Sequence, residues 1–294
     1  MSQVWLITGS SRGFGKSLAE AVLSAGHSLI ATARNPADLT PLVARYGNRV
    51  RAVALDVTDA AAARVAVRAA VDAFGRLDVV VNNAGYGNLA SIEEGDDADF
   101  RAQLETNFFG VLNVTRAALP IMRKQRSGHI IQFSSIGGRI GVPGMAAYQA
   151  SKWAVEGLSE VLAKEVKPFG IHVTLVEPGG FRTDWAGTSM TVHAPAADSD
   201  YAPTLGAMIK LLETHRGRQA GDPAKAAQAI LTIAKTPEPP LRLLLGSDAV
   251  FLAEQQSARV AAEDAKWRTL SLSTDFDSSP EAIAESSRLL QSLS

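Results

Sequence analysis

The feature that most constrains how this chain can fold is a rhythm. Short runs rich in Val, Ile and Leu occupy 3–8, 28–34, 50–55, 77–82, 128–134 and 170–176, with amphipathic segments near 13–25, 58–74, 98–125 and 145–167. The short runs lack the apolar/polar alternation of a half-buried strand, so they read as strands covered on both faces. Helix between strand, repeated, predicts βαβ units and a parallel sheet, and right-handed crossovers wind that sheet in both directions from its centre. A seventh strand is expected at 241–246, after Pro237, Pro239 and Pro240. The expected class is α/β, with a doubly wound, seven-stranded parallel sheet and helices on both faces in one domain over 1–250.

Two stretches depart from the rhythm. Residues 183–222 hold Gly187, Pro195, Gly206, Gly217 and many small polar side chains. A long insertion after a strand's carboxyl end is expected to be a lid over a substrate, the alternative being a plain surface excursion. Residues 251–294 are expected to be a C-terminal helical extension ending in a Ser-rich tail that is partly disordered from 271 on. The whole chain, at 46% hydrophobic and 20% charged residues, has the composition of an ordinary globular protein. The formal net charge of −1 and the lack of a basic stripe argue against a nucleic-acid-binding regulator or an anionic membrane surface.

The 294 residues include no cysteine, which excludes disulfides, thiolate catalysis and Cys-ligated metals. The five histidines are scattered, so no metal is assigned. Val4-Trp5-Leu6-Ile7-Thr8 reads as a strand without a basic, cleavable leader pattern, so no signal peptide is expected, and no apolar run approaches transmembrane length, so no transmembrane helix is expected. A cytoplasmic location is expected.

The first strand runs into Thr8-Gly9-Ser10-Ser11-Arg12-Gly13-Phe14-Gly15, and a helix pattern follows at once through Leu18, Ala21, Val22 and Ala25. Glycines at such a junction allow a tight turn, close backbone approach to a pyrophosphate and close helix packing. The helix N-terminus adds free N–H groups and a positive dipole end. At the first strand–helix junction such a turn is expected to be the dinucleotide site of a Rossmann-type sheet, the alternative being a purely structural turn. An NAD-selective site places an acid at the end of the second strand to hold the ribose 2′-OH. Here the strand ends in Ala33-Arg34, and no carboxylate occurs between Glu20 and Asp38. Arg34 and Arg12 suit a 2′-phosphate, which guanidinium groups bind bidentately. NADP(H) is therefore expected in preference to NAD(H).

Tyr148 and Lys152 lie four residues apart in the 145–167 pattern, on one helix face. A free Tyr, with a pKa of about 10, is a poor base at neutral pH. A nearby ammonium favours the charged form, so Lys152 is expected to lower the Tyr148 pKa and fit it for proton transfer.

These residues together resemble the short-chain dehydrogenase/reductase family. The family's Thr-Gly-x-x-x-Gly-x-Gly fingerprint is met at Thr8, Gly9, Gly13 and Gly15, with Ser11, Arg12 and Phe14 inside the loop. Ser135 precedes Tyr148 by 13 positions (148 − 135), the family's usual separation. The resemblance implies that Ser135 binds the substrate oxygen, Tyr148 is the acid/base and Lys152 holds the nicotinamide ribose. It also implies that Asn107 supports a water relay by holding a local helix irregularity. Ser134, on the opposite face of the strand, is read as structural.

The Asn82-Asn83-Ala84-Gly85 stretch resembles the family's Asn-Asn-Ala-Gly motif and implies that Asn83, Ala84 and Gly85 line the adenosine ribose. Asp56, followed by Val57, would contact the adenine; Asp56 could instead cap the helix of 58–74, though Thr58 and Asp59 could also do so. Pro178, Gly179 and Thr183 would meet the nicotinamide carboxamide. The family's long helices, equivalent to 98–125 and 145–167, imply a homo-oligomer, dimer or tetramer.

The reading of function is thus an oxidoreductase moving a hydride between NADP(H) and a small-molecule carbonyl or secondary alcohol, reduction being the favoured direction. Phe181, Trp185, Met190, Val142, Pro143 and Met145 suggest an apolar pocket for a lipophilic ketone or aldehyde. The 177–184 stretch resembles a branch related to hydroxysteroid and retinol dehydrogenases. The competing reading is a non-catalytic NADP(H) sensor on the same fold, since fold does not fix function. Arg123, Lys124 and Arg126 are read as charges complementing a helix C-terminus, and Glu93, Glu94, Asp96 and Asp97 as a solvated loop before a helix.

Overall fold

A computed structural model describes residues 2–183, 190–276 and 280–292. Seven strands form one sheet in the order β3-β2-β1-β4-β5-β6-β7. They are β1 (Val4–Ile7), β2 (Ser28–Ala33), β3 (Val50–Ala54), β4 (Val79–Asn82), β5 (Gly128–Phe133), β6 (Ile171–Pro178) and β7 (Arg242–Leu245). Every strand pair is parallel. Each expected strand is present within two residues of its expected ends. The order reverses between β1 and β4, and the cleft outside that point is where such sheets bind ligands.

Alternation along β1 shows how the sheet is covered. Trp5 and Ile7 face one apolar layer built by α1 (Gly13–Ser24) and α8 (Pro223–Ile233), with Leu18, Val22 and Ile230 buried against them. Val4 and Leu6 face the other, where α3 (Ala60–Phe74), α5 (Gly110–Gln125) and α6 (Ala146–Val166) contribute Val67, Met122 and Leu162. Burial on both sides removes any need for polar alternation within a strand.

One buried charge system closes the far end of the sheet. Glu177, at the carboxyl end of β6, is fully buried, and Arg139 meets it with two contacts of 2.9 and 2.7 Å. Arg242 on β7 bonds Glu156 and Glu160, each at 2.9 Å. Burial pushes the Glu177 carboxyl up to about 7, Arg139 pulls it down, and the Glu156 charge pushes it up. Removing one partner of a buried pair leaves an uncompensated charge, so Arg139→Ala is expected to destabilise the fold by about 3–5 kcal/mol at pH 8. The sign of the pH dependence follows from the raised pKa: Glu177 stands at about 7 with Arg139 lowering it, and without Arg139 it takes up a proton more readily still, so the deficit should shrink as pH falls. Urea denaturation at pH 8 and pH 6 checks both statements.

Part of the insertion is helical: α7 (Ala202–His215), which was not expected from the sequence. Only Leu205 is buried along it, and Pro203 and Gly206 mask the helical period. The segment before α7 is tied down. Leu89 pairs with Val192, Tyr201 Oη donates to Glu93 at 2.6 Å, and Ser199 Oγ donates to Glu94 at 2.6 Å. Glu93 and Glu94 therefore anchor the insertion and are not merely solvated, which corrects the sequence-based expectation. Asp96, by contrast, does start a helix, accepting from the Ala98 N–H at 2.8 Å as the N-cap of α4 (Asp97–Leu104).

The chain divides into two compact units, 1–250 and 251–294. The second holds most of α9 (Ser247–Leu272) and all of α10 (Pro280–Ser292). Within the Ser-rich stretch, 280–292 is helical. Its Ala, Glu and Leu are strong helix formers, and Pro280 suits a first helical position.

Candidate active site

A cleft of about 1130 Å³ runs along the carboxyl edge of the sheet in the first unit. At one end β1 turns into α1. Gly9 and Gly13 adopt φ of +68° and +53°, which side-chain-bearing residues rarely adopt. Gly15 is constrained by space: a Cβ there would collide with the Gly9 carbonyl and come within 2.6 Å of Asn83 Nδ2. No side chain caps the N-terminus of α1, so its first N–H groups are free for an anion. The residues present thus fit a pyrophosphate, with a backbone cradle that a methyl group would fill.

The end of β4 is bolted to this loop. Thr8 Oγ1 accepts from the N–H groups of Asn83 and Ala84, both at 2.9 Å, and Asn83 Nδ2 donates to the carbonyls of Thr8 and Gly9 at 2.9 and 3.1 Å. Ser11, Arg12, Gly13, Phe14, Asn83, Ala84 and Gly85 all line the cleft with Gly9. Thr8 and Gly15 stand behind them as its frame.

Arg12 and Arg34 are exposed side chains lining the same cleft. Asp56 and Val57 form the neighbouring wall. The cap of α3 is Asp59, which accepts from the Ala61 and Ala62 N–H groups at 2.7 and 3.0 Å. Asp56 instead accepts from the Thr58 N–H and hydroxyl at 3.0 and 2.8 Å. These bonds, the backbone one foremost, hold its carboxyl below the usual range, and the Arg34 charge adds to them. Of the two roles open to Asp56, capping is therefore removed.

The proton-transfer group sits midway. Asn107 lies in a π-helical turn, Glu105–Phe109, between α4 and α5, the irregularity expected there. It is fully buried, donates to the Tyr86 carbonyl at 2.8 Å and Ser151 Oγ at 3.1 Å, and accepts from the Tyr86 N–H at 3.0 Å. A Cβ on Gly85 would lie 2.8 Å from Asn107 Oδ1 and 3.7 Å from Lys152 Nζ, so the three meet at that glycine. Ser135 and Tyr148 both line the cleft, and the Ser135 hydroxyl is near enough to oppose the effect of burial on the Tyr148 phenol. Ser135 Oγ also accepts from the Gly137 N–H at 3.0 Å and donates to the Pro178 carbonyl at 3.4 Å.

Lys152 donates to the Phe133 carbonyl at 2.6 Å and lies 5.6 Å from the Tyr148 ring centroid. Burial, opposed by the nearby Ser135 hydroxyl, pushes Tyr148 up to about 12, and burial brings Lys152 down to about 8. This corrects the expectation of a lowered Tyr148 pKa. Lys152 shares the Tyr148 site but reaches a carbonyl, while loss of water penalises both charged forms. Ser134 lines the cleft but turns away from Ser135, toward Gly138, whose added Cβ would meet its Oγ at 2.7 Å.

The turn after β6 completes the wall with Pro178, Gly179 and Thr183. Phe14 ties it to the phosphate loop, with ring centroids 4.9 Å from Phe181 and 5.4 Å from Phe133. Beyond Tyr148 lies an apolar cluster of Leu89, Met145 and Leu205, flanked by Val142, Met190 and Met208. Trp185 lies outside the described residues. The sequence reading missed Tyr86, Asn88, Leu212, Arg218, Gln219 and Asp248, which also line the cleft. No local pattern marks them; they arrive from the insertion, the loop after β4 and the start of α9. Of the helices with described residues, none is long and apolar enough to cross a membrane.

A profile described as short chain dehydrogenase matches residues 3–192. The chain is 52% identical over 275 residues to Oxidoreductase BOA17 of Botryotinia fuckeliana, covering 93% of this chain and 100% of that protein. It is 40% identical over 244 residues to 3-ketodihydrosphingosine reductase of Bacteroides thetaiotaomicron, covering 83% and 88%. Among solved structures, a short-chain dehydrogenase from Streptomyces avermitilis superposes with a TM-score of 0.87 at 42% identity, covering 93% and 98%. Two more distant ones carry cofactors. A Burkholderia cenocepacia short chain dehydrogenase in complex with NADP has a TM-score of 0.71 at 26% identity, covering 90% and 97%. A Burkholderia phymatum relative in complex with NAD has 0.76 at 25%, covering 91% and 95%. Matched over most of its catalytic unit and far above 30% identity to full-length relatives, the chain belongs to the short-chain dehydrogenase family and is an oxidoreductase acting on CH–OH or carbonyl groups.

Proposed function

We propose that the protein is an NADP(H)-dependent reductase of lipophilic ketones or aldehydes. One observation carries the reading: Ser135, Tyr148 and Lys152 line the same cleft as the glycine cradle, Arg12 and Arg34. The nicotinamide supplies the hydride. Ser135 and Tyr148 hold the carbonyl oxygen, and Tyr148 gives it a proton, as one donor of an oxyanion-type site. Lys152 binds the ribose and places a positive charge beside the site. Asn107 fixes the π turn and the loop at Tyr86, supporting a water relay to Lys152.

Solved relatives carry NADP or NAD, so the family's fold alone does not choose between them. The preference for NADP(H) rests on Arg12 and Arg34 and on the absence of an acid at Ala33. Asp56 and Val57 would receive the adenine, Asn83, Ala84 and Gly85 the adenosine ribose, and Pro178, Gly179 and Thr183 the carboxamide. The apolar cluster around Tyr148 suits a lipophilic carbonyl, with 183–222 as its lid; the similarity to a 3-ketodihydrosphingosine reductase is in keeping with a long-chain ketone. Phe109 and Trp153, 41% and 51% exposed, suit burial in a homo-oligomer, and we place the protein in the cytoplasm.

Thermal unfolding with NADPH, with NADH and without ligand tests the cofactor assignment, since a ligand at 100 times its dissociation constant adds about 2.7 kcal/mol of stability. The larger rise is expected with NADPH, and no rise with either would remove the basis of the reading. Replacing both Arg12 and Arg34 by Ala should weaken NADPH by about two orders of magnitude, the effect of losing two charge-assisted contacts, and leave NADH unchanged. An unchanged ratio of dissociation constants would refute the 2′-phosphate assignment.

A further inference from the structure

We infer that Asp248 is a positioning residue for the nicotinamide end of the cofactor, holding the turn after β6 through a nest of glycines. The inference rests on the NADP(H) reading above. Asp248 lies in the first turn of α9, within the first unit. Its Oδ2 accepts the Gly180 N–H at 2.6 Å. Its carboxyl group occupies the space that a Cβ on Gly179 would need; a Cβ on Gly246 would meet Oδ1 at 2.7 Å, and one on Gly180 would meet Oδ2 at 3.3 Å. Three glycines thus border one carboxylate, and Gly179 and Gly246 leave room for it only because they lack a side chain. Asp248 Oδ1 is buried and has no hydrogen-bond partner among the described residues, so satisfaction of its own hydrogen bonds does not account for the placement. The helix N-terminus offsets part of the cost of holding the charge there.

What the carboxylate holds is the turn that spans the cleft. The Gly179 N–H donates to the Leu245 carbonyl at 2.9 Å, and the Gly221 N–H donates to the Gly180 carbonyl at 3.1 Å. The Pro178 carbonyl accepts from Ser135 Oγ, and Thr183 stands 3.7 Å from the Cβ position of Gly13. The turn therefore touches the substrate-binding hydroxyl at one end and the phosphate loop at the other. Asp248 anchors it from α9, Arg182 Nε donates to the Gln219 carbonyl at 2.6 Å, and Asp248 itself lines the cleft. Displacing this turn should spoil the nicotinamide end of the site and spare the adenosine end, which lies against Arg12, Arg34 and Asp56.

The test compares two ligands. NADPH reaches both ends of the site; adenosine 2′,5′-bisphosphate reaches only the adenosine end. Asp248→Ala should weaken NADPH by about tenfold, the effect of losing one charge-assisted hydrogen bond, with adenosine 2′,5′-bisphosphate unchanged. Asp248→Asn, which keeps an acceptor for the Gly180 N–H, should restore most of the NADPH affinity. Gly179→Ala should weaken NADPH in the wild-type background and less so beside Asp248→Ala, where its methyl group has room. Equal losses for the two ligands, no loss of NADPH, or additive effects of the two substitutions would overturn the inference. Unfolding curves without ligand report whether each variant is folded. Failure of the wild-type protein itself to bind NADPH would instead overturn the cofactor reading, and this inference with it.

Discussion

Tyr148→Phe is expected to lower turnover by about 10²–10⁴-fold, the span that general acid catalysis supplies, and to leave the NADPH dissociation constant unchanged. The substitution removes one oxygen from a ring that is already buried, so packing is preserved and the loss is chemical. The pH dependence distinguishes the proposed role from a purely binding one. Burial holds Tyr148 at about 12, so at any ordinary pH it is protonated and ready to act as an acid. Lys152, brought down to about 8, loses its charge as pH rises through that value. The kcat/KM for carbonyl reduction should therefore fall above about pH 8, whereas alcohol oxidation, which needs Tyr148 to give up its proton first, should gain as pH rises. Lys152 also binds fewer protons folded than unfolded between about 8 and 10.5, so its contribution to stability rises over that window. A variant that reduces carbonyls at the wild-type rate would remove Tyr148 from the mechanism.

Much of this architecture is legible before any coordinates. Strands buried on both faces leave apolar runs without alternation, and the glycines at 9, 13 and 15 announce the tight turn that joins β1 to α1. Tyr148 and Lys152 share one face of one helix, which their spacing shows; Ser135 and Asn107, on other elements, join them only through the family resemblance.

The rest was hidden because it depends on contacts between distant parts of the chain. Asp248 looks like any acid in a first helical turn until Gly179 and Gly180 are seen to close around it. Glu93 and Glu94 look like solvated charges because Ser199 and Tyr201, their partners, lie more than 100 residues away. The Tyr148 pKa was misjudged for a related reason. Helical spacing brings Lys152 near, but burial, a property of the whole fold, sets the sign. Asp56 shows the reverse: two local roles were open, and the geometry of Asp59 removed one.

Gly15→Ala should abolish measurable cofactor binding even though it adds one methyl group. The methyl would stand against the Gly9 carbonyl and 2.6 Å from Asn83 Nδ2, and both neighbours are fixed. Gly9 holds a positive φ that its own turn requires, and Asn83 is committed to the carbonyls of Thr8 and Gly9. Relief is possible only by moving α1 away from β1 or by breaking the Asn83 bonds that join β4 to the loop. Overpacking of this kind costs about 1–3 kcal/mol of stability, a loss a domain of this size tolerates. The cradle is less forgiving, because the pyrophosphate must lie against backbone N–H groups whose positions the collision shifts. The expected outcome is a folded protein, with its unfolding transition lowered and no further rise on adding NADPH or NADH. Gly26→Ala is the control for adding a methyl group elsewhere: Gly26 also has a positive φ of +86° but nothing within 4 Å of its Cβ position, so it should lose stability through backbone strain alone and still respond to NADPH. If Gly15→Ala responds to NADPH as the wild-type protein does, the turn between β1 and α1 is not the pyrophosphate site.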